Sequence, residues 1–91
     1  MKAWQLLEDP SRWCNRAWAK DWLDKSVHPL SQEACRWCAS GAIMRCYPHG
    51  SREFHERANK LAEARHSLCL SHLNDRLGYE LVLAVLKAAD V

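Results

Sequence analysis

Residues Glu33–His49 read EACRWCASGAIMRCYPH, and the conformation of this stretch decides the fold class of the chain. It contains three cysteines and a histidine, beginning with Cys-x-x-Cys and ending with Cys-x-x-His. That pattern is compatible with a zinc site, a redox pair, or a helix that buries its sulfur atoms. Helical spacings of three, four and four separate four of its residues: Cys35, Cys38, Ala42 and Cys46. We therefore interpret the stretch as one continuous helix with its thiols packed inside the protein.

Length and composition indicate one globular domain, residues 1–91. The chain is 48% hydrophobic and 26% charged, which is ordinary globular composition. Its longest apolar run, Leu81–Leu86, is too short to span a bilayer. The five cysteines are an odd number, which disfavours a secreted disulfide framework. We expect a cytoplasmic protein with reduced cysteines and no membrane partner.

The hydrophobic periodicity predicts an all-α fold, a single compact bundle of four to five short helices. Asp9 is the expected N-cap of the second helix, and residues 72–78, HLNDRLG, are expected to form a turn. The predicted helices are Lys2–Glu8, Pro10–Asp24, the stretch from an N-cap at Ser31 to Cys46, Ser51 to about Leu73, and Gly78–Ala89. The fourth is expected to bury a face that includes Phe54, Ala58 and Ala62, and the last is expected to bury Leu81, Val82, Val85 and Leu86.

Three segments carry a resemblance to a known family: WCNRAWAKD at 13–21, SQEACRWCASGAI at 31–43, and LNDRLGYELVLAVLKAA at 73–89. In this order they resemble a small family, a domain of unknown function, from actinobacteria, proteobacteria and phages. The family pattern has arginine at Lys20, glycine near Ala17 and tryptophan at Leu73, so the chain departs from it there. The resemblance implies a helical fold and no particular reaction. The positions that correspond to the family motifs are Ala19, Lys20 (in place of the arginine), Asp21, Ala34, Trp37, Cys38, Gly41, Ala42, Asn74 and Asp75.

Several of these residues have structural roles as their simplest interpretation. We expect Trp37 and Cys38 to pack in the core, and Gly41 beside Ala42 to permit two helices to approach closely. The residues expected to shape turns and ion pairs are Asn74 and Asp75, as turn and N-cap before the last helix, and Asp21, as partner of an arginine.

The sequence offers no well-formed metal or catalytic site. Cys35, Cys38, Cys46 and His49 reach the ligand count of a structural zinc site. On a continuous helix, however, Cys35 and Cys46 would lie about 16 Å apart, too far for one ion. No strand is predicted beside the Cys-x-x-Cys pair, and no spacing selects a base for a cysteine nucleophile. We predict a non-enzyme without metal or cofactor, and a small zinc-binding domain stays the least favoured alternative.

The five tryptophans all lie within the first 37 residues. A chain of this size has little room to enclose all of them, because tryptophan is seldom fully buried. Tryptophan and arginine are also the residues most enriched at interface hot spots. The predicted protein-binding residues, placed on the second helix, are Trp18, Trp22, Arg12 and Arg16.

Nucleic-acid binding is the alternative from another functional class. Arg12, Arg16 and Lys20 would form one basic stripe on the second helix, diluted by Asp21 and Asp24. The last helix is mostly apolar and would bring only one cation to a DNA groove. The net charge of +2 is small for a nucleic-acid binder, so the sequence disfavours this class.

Together these observations predict a non-enzymatic module that binds another protein. Its small size and the resemblance suggest an inhibitor or modulator of a host or defence protein, encoded on a phage or other mobile element. A homodimer formed through the tryptophan-rich second helix is equally compatible with the sequence.

Overall fold

Five α-helices and one two-stranded antiparallel sheet make up this computed structural model, which describes residues 1–91. The prediction of a small, mainly helical bundle is confirmed. In chain order the elements are α1 Ala3–Leu6, a 3-10 helix Pro10–Arg12, β1 Ala19–Lys20, β2 Arg36–Trp37, α2 Ala39–Cys46, α3 Ser51–His66, α4 Leu70–Arg76 and α5 Tyr79–Ala89.

The core forms where one face of each helix meets the others. On α5 the buried residues Val82, Val85 and Leu86 follow helical spacing, as predicted. Leu81 was expected to be buried with them and is instead 38% exposed, because it lies at the edge of the buried face of α5. Fully buried residues from other elements that join this core include Leu7, Ile43, Leu70 and Leu73.

None of the five helices is long and apolar enough to cross a membrane.

The predicted second helix, Pro10–Asp24, is wrong. Asp9 does cap a helix, since its carboxylate accepts the Ser11 amide, but that helix is a single 3-10 turn. The chain then becomes irregular and extended through β1. A spacing of four between tryptophans also satisfies the two-residue repeat of a strand, and tryptophan favours extended backbone. Strand pairing therefore overrides the helical interpretation of this segment.

The continuous helix predicted for Ser31–Cys46 is wrong in its first half. Ser31 caps a turn, in which its hydroxyl accepts the Glu33 amide, and the next residues are extended. The amides of Cys35 and Cys38 donate to the carbonyls of Lys20 and Trp18, so they are not available to a helix. The helix α2 begins only at Ala39.

The turn predicted at residues 72–78 is also wrong, because most of it is helix α4. A left-handed residue, Ser67, ends α3, and the side chain of Asn59 accepts the Leu70 amide at 2.7 Å to start α4. The actual turn between α4 and α5 contains Leu77 and Gly78, whose φ of +92° favours glycine.

Distant side chains also complete two other helix ends. The Arg57 guanidinium on α3 donates to the carbonyls of Ala89 and Asp90 at the C-terminus of α5. The Tyr79 hydroxyl lies 2.6 Å from the Leu7 carbonyl and 2.8 Å from the Glu8 carbonyl, so its single proton is shared between these two acceptors beyond α1. These contacts satisfy carbonyls that a helix cannot pair internally, and they fix the helices relative to each other.

Candidate functional site

The tryptophan-rich segment, residues 13–38, is anchored to the bundle through Trp37 on β2. Its indole is buried and donates to the Pro29 carbonyl at 3.0 Å. Its backbone pairs with Ala19 of β1 in the antiparallel sheet and forms a parallel bridge with Trp13. Two separate parts of the segment are thus fixed by one buried tryptophan.

The backbone of Trp18 is held against the first turn of α2. Its carbonyl accepts the Cys38 amide at 3.1 Å. A Cβ placed on Gly41 would lie 1.8 Å from the same oxygen, so only glycine fits there. The close approach predicted for Gly41 therefore occurs against an extended segment and not between two helices. Ala42 beside it is fully buried.

Trp22 lies at the tip of a tight loop that follows β1. The Asp21 carboxylate shapes this loop by accepting the amides of Leu23 and Lys25, each at 2.9 Å. The ion pair predicted between Asp21 and an arginine is absent. Asp24, not Asp21, forms the ion pairs of this loop, one with Arg36 and one with Lys20.

Trp18 and Trp22 are 57% and 86% exposed, although the backbone on both sides is fixed. Each tryptophan borders a groove that also contains one of the two arginines predicted to bind a partner, Arg12 or Arg16. The Trp18 groove, about 340 Å³, is lined by Arg16, Asp75 and their neighbours. The Trp22 groove, about 610 Å³, is lined by Arg12 and neighbours that include Arg36. The structure therefore places these tryptophans and arginines in two separate grooves, and not on the single helical stripe that was predicted.

Asn74 joins three elements around this surface. Its side chain is 1% exposed, and its Oδ1 accepts both the Trp13 indole N–H at 2.9 Å and the Ala39 amide at 3.0 Å. Its Nδ2 donates to the Cys14 carbonyl at 3.2 Å. The predicted role as a cap before the last helix is wrong, because Asn74 lies within α4 and caps the first turn of α2.

Asp75 acts on the same segment from the exposed side of α4. Its Oδ1 accepts the backbone amide of Arg16 at 2.9 Å. Arg16 has a φ of +63°, a left-handed conformation that costs a non-glycine residue about 1 kcal/mol. Asp75 is therefore not a turn residue before α5, as was predicted, but fixes the direction in which Arg16 leaves the surface.

Residues from the segments 13–21, 31–43 and 73–89 meet at this junction. Ala19 pairs with Trp37 across the sheet, Gly41 lies against Trp18, and Asn74 holds the start of α2. Residues far apart in the sequence thus form one continuous structural unit beneath the exposed tryptophans.

The cysteines do not lie on one continuous helix, although a zinc site was disfavoured above on that assumption. Cys35 lies in the extended stretch before β2, and Cys38 is the N-cap of α2, where its Sγ accepts the Gly41 amide at 3.3 Å. The predicted 16 Å separation along a helix therefore does not apply. No group of three or more His, Cys, Asp or Glu side chains is placed to hold one metal ion. All five cysteines are free thiols.

Burial raises the pKa of the Cys14 thiol from 9.0 to about 11. The native state thus favours the neutral thiol, and the resulting stability is complete below about pH 9 and lost towards pH 11. We expect the free energy of unfolding to fall by about 2 kcal/mol across this interval. Urea unfolding of wild type and Cys14→Ala at several pH values measures this contribution. If the free energy of unfolding falls equally with pH in both proteins between pH 9 and pH 11, the contribution of Cys14 is contradicted.

A hydrogen bond that sequence patterns did not indicate links α2 to α3. The Ser40 hydroxyl lies 3.0 Å from Nε2 of His55. The pair borders a further groove of about 500 Å³ whose wall includes Trp18 and Met44. Since fifteen residues separate Ser40 from His55, no local spacing could have paired them. We interpret the contact as an inter-helix hydrogen bond.

Comparison with known proteins gave no similarity: no family model, curated protein or solved structure matches this chain.

Proposed function

We propose that this chain is a non-enzymatic, cytoplasmic module that binds another protein through the surface around Trp18 and Trp22. The observation that supports this proposal is the exposure of two large indoles on backbone that is otherwise fixed. Tryptophan supplies a large apolar area with few rotatable bonds, which suits it to the centre of an interface.

The fixed backbone lowers the entropic cost of binding. Trp18 is held through its carbonyl by Cys38, and the loop that carries Trp22 is held by the Asp21 carboxylate. Little conformational freedom remains to be lost when a partner covers these residues, so more of the apolar burial contributes to affinity.

A role as inhibitor or modulator of a host or defence protein, encoded on a phage or other mobile element, is the more specific form of this proposal. A homodimer is a second form, because a second copy of the chain could also cover the indoles. The structure offers no long tryptophan-bearing helix for that contact, so a dimer would form through the surface around Trp18 and Trp22.

The proposed function predicts that Trp18→Ala and Trp22→Ala each weaken the complex with the partner by at least about tenfold. The measurement is affinity capture from the native host, followed by titration of the captured protein. Leu77→Ala is the matched control, because Leu77 is also exposed and lies in the turn between α4 and α5.

Sedimentation of the purified chain tests the homodimer with the same variants. If the Trp18→Ala, Trp22→Ala double variant binds the partner, or dimerises, as tightly as wild type, this surface is not the contact site. Circular dichroism ensures that each variant keeps its helical content.

A further inference from the structure

Two of the five free thiols lie next to each other where the tryptophan-rich segment meets α2. Trp13 and Trp37 form a parallel bridge, and the Cys14 amide donates to the Trp37 carbonyl at 3.0 Å. The next residues along the two chains, Cys14 and Cys38, are therefore neighbours. Adjacent extended chains lie about 4.8 Å apart, which falls within the Cα separations of about 4.4 to 6.8 Å that a disulfide spans.

Both thiols also lie beside the same short loop, residues 14–18. The Cys14 Sγ is 3.6 Å from the Ala17 carbonyl oxygen, and the Cys38 amide donates to the Trp18 carbonyl. The two cysteines are almost completely enclosed, with 4% and 8% of their surfaces exposed. Burial is the main cause that raises the pKa of the Cys14 thiol, and the next is the negative charge of a Cys38 thiolate, an effect that falls with distance.

The other three thiols lie elsewhere in the fold. Cys35 faces β1 across the other edge of β2, where its Sγ is 3.6 Å from the Lys20 carbonyl. Cys46 is the last residue of α2, about 12 Å from Cys38 along the helix. Cys69 is the N-cap of α4. Cys14 and Cys38 are thus the pair that the backbone brings together.

We propose that Cys14 and Cys38 are a redox-sensitive pair that forms a disulfide when a small-molecule disulfide, such as oxidised glutathione, is available. The bond links the loop 14–18 covalently to the first turn of α2, beside the backbone of the exposed Trp18. This role requires no partner protein, so it is independent of the proposed binding function.

The reaction consists of two successive thiol–disulfide exchanges. One cysteine loses its proton, and its thiolate attacks oxidised glutathione to form a mixed disulfide and release one glutathione thiolate. The second cysteine, also deprotonated, attacks the protein sulfur of the mixed disulfide and releases the second glutathione. The two glutathione thiolates take up the two protons. The cysteines are oxidised by two electrons, and one oxidised glutathione is reduced to two molecules of glutathione.

Burial determines when this exchange takes place. An enclosed, neutral thiol reacts slowly, so both sulfur atoms are protected in the folded, reduced chain. The exchange takes place during folding or in transient openings of the loop 14–18, and the native positions of the two cysteines then select their bond. The disulfide removes few native contacts, because the Cys38 sulfur can still accept the Gly41 amide and only the weak bond from Cys14 to Ala17 is lost.

The test is to refold the full chain from urea in glutathione buffers that range from fully reduced to strongly oxidising. Acid quenching, alkylation of the remaining thiols with N-ethylmaleimide and peptide mass spectrometry identify the bonded cysteines. We expect the Cys14–Cys38 disulfide to exceed every other pairing at least about tenfold. The oxidised chain should melt at least about 5 °C above the reduced chain, because the bond closes the loop of residues 14–38 in the unfolded state.

Cys46→Ser is the matched control, because Cys46 is another partly enclosed free thiol at the end of α2. This variant should keep the disulfide and the increase in melting temperature, whereas Cys14→Ser should lose both. Mapping the bonds in the wild-type chain requires no substitution, so the result does not depend on how well Cys14→Ser folds.

A different disulfide in the oxidised wild-type chain, glutathione adducts alone, unreacted thiols throughout, or a lower melting temperature would each contradict the redox-sensitive pair. A lower melting temperature would show that Cys14 and Cys38 do not lie in positions that a disulfide can join. Binding of a partner does not enter these measurements, so the loss of either proposal leaves the other standing.

Discussion

Gly41→Ala is expected to destabilise the protein by about 3 to 5 kcal/mol, a large part of the stability of a typical domain. A methyl group on Gly41 would lie 1.8 Å from the Trp18 carbonyl oxygen, a backbone atom that cannot rotate away. Either α2 or the extended segment would have to move by more than 1 Å, which would also break the Cys38–Trp18 hydrogen bond. Urea unfolding followed by circular dichroism measures the effect.

The sign of this effect makes the prediction specific. In an ordinary helix, replacing glycine by alanine stabilises the protein by about 1 kcal/mol. The reverse change at an exposed helical site, Ala88→Gly on α5, should therefore cost about 1 kcal/mol and serves as the control. A Gly41→Ala protein as stable as wild type would show that Trp18 does not approach α2 as described.

Asn74→Leu is expected to cost about 3 to 5 kcal/mol, although leucine has a similar volume. The substitution leaves the Trp13 indole N–H, the Ala39 amide and the Cys14 carbonyl without their buried partner. Each unsatisfied buried group costs about 1 to 3 kcal/mol. Chemical denaturation gives the total, and the Trp13 environment can be followed by near-ultraviolet circular dichroism.

The matched control is Asn59→Leu, because Asn59 also caps a helix from a neighbouring element. Its Oδ1 accepts only one backbone amide, that of Leu70, and the side chain is less buried. We expect a loss of about 1 to 2 kcal/mol there. If both substitutions cost the same, Asn74 does not have the central position assigned to it.

The helices that could be predicted from sequence are those whose amphipathic pattern is local. In α5, Val82, Val85 and Leu86 are one turn or less apart, so the buried face can be identified without knowing its partners. The long helix α3 follows for the same reason, from Phe54, Ala58 and Ala62. Leu81 was placed wrongly because a pattern of consecutive apolar residues does not specify where the buried face ends.

The exposed tryptophans and arginines were identified from composition, but the helix proposed to carry them does not exist. Trp18 and Trp22 are four residues apart, a spacing that a helix and a strand both accommodate. Their role in binding remains a prediction. Composition does not reveal that Arg12 shares a groove with Trp22 and Arg16 a groove with Trp18, nor that Arg16 and Asp24 are left-handed.

The sequence by itself determined the helical character of the chain, the start of α3 and the position of α5, because those patterns depend on neighbouring residues. The predicted fourth helix continued to about Leu73, whereas α3 ends at His66 and a separate helix α4 begins at Leu70. Only the tertiary structure decided the path of residues 13–38 and the position of the exposed indoles. The hydrogen bonds that fix this path join Trp13 and Cys14 to Asn74, and Trp18 to Cys38. Local periodicity contains no information about partners that are twenty to sixty positions away, and their hydrogen bonds outweighed the weak helical preference of the segment.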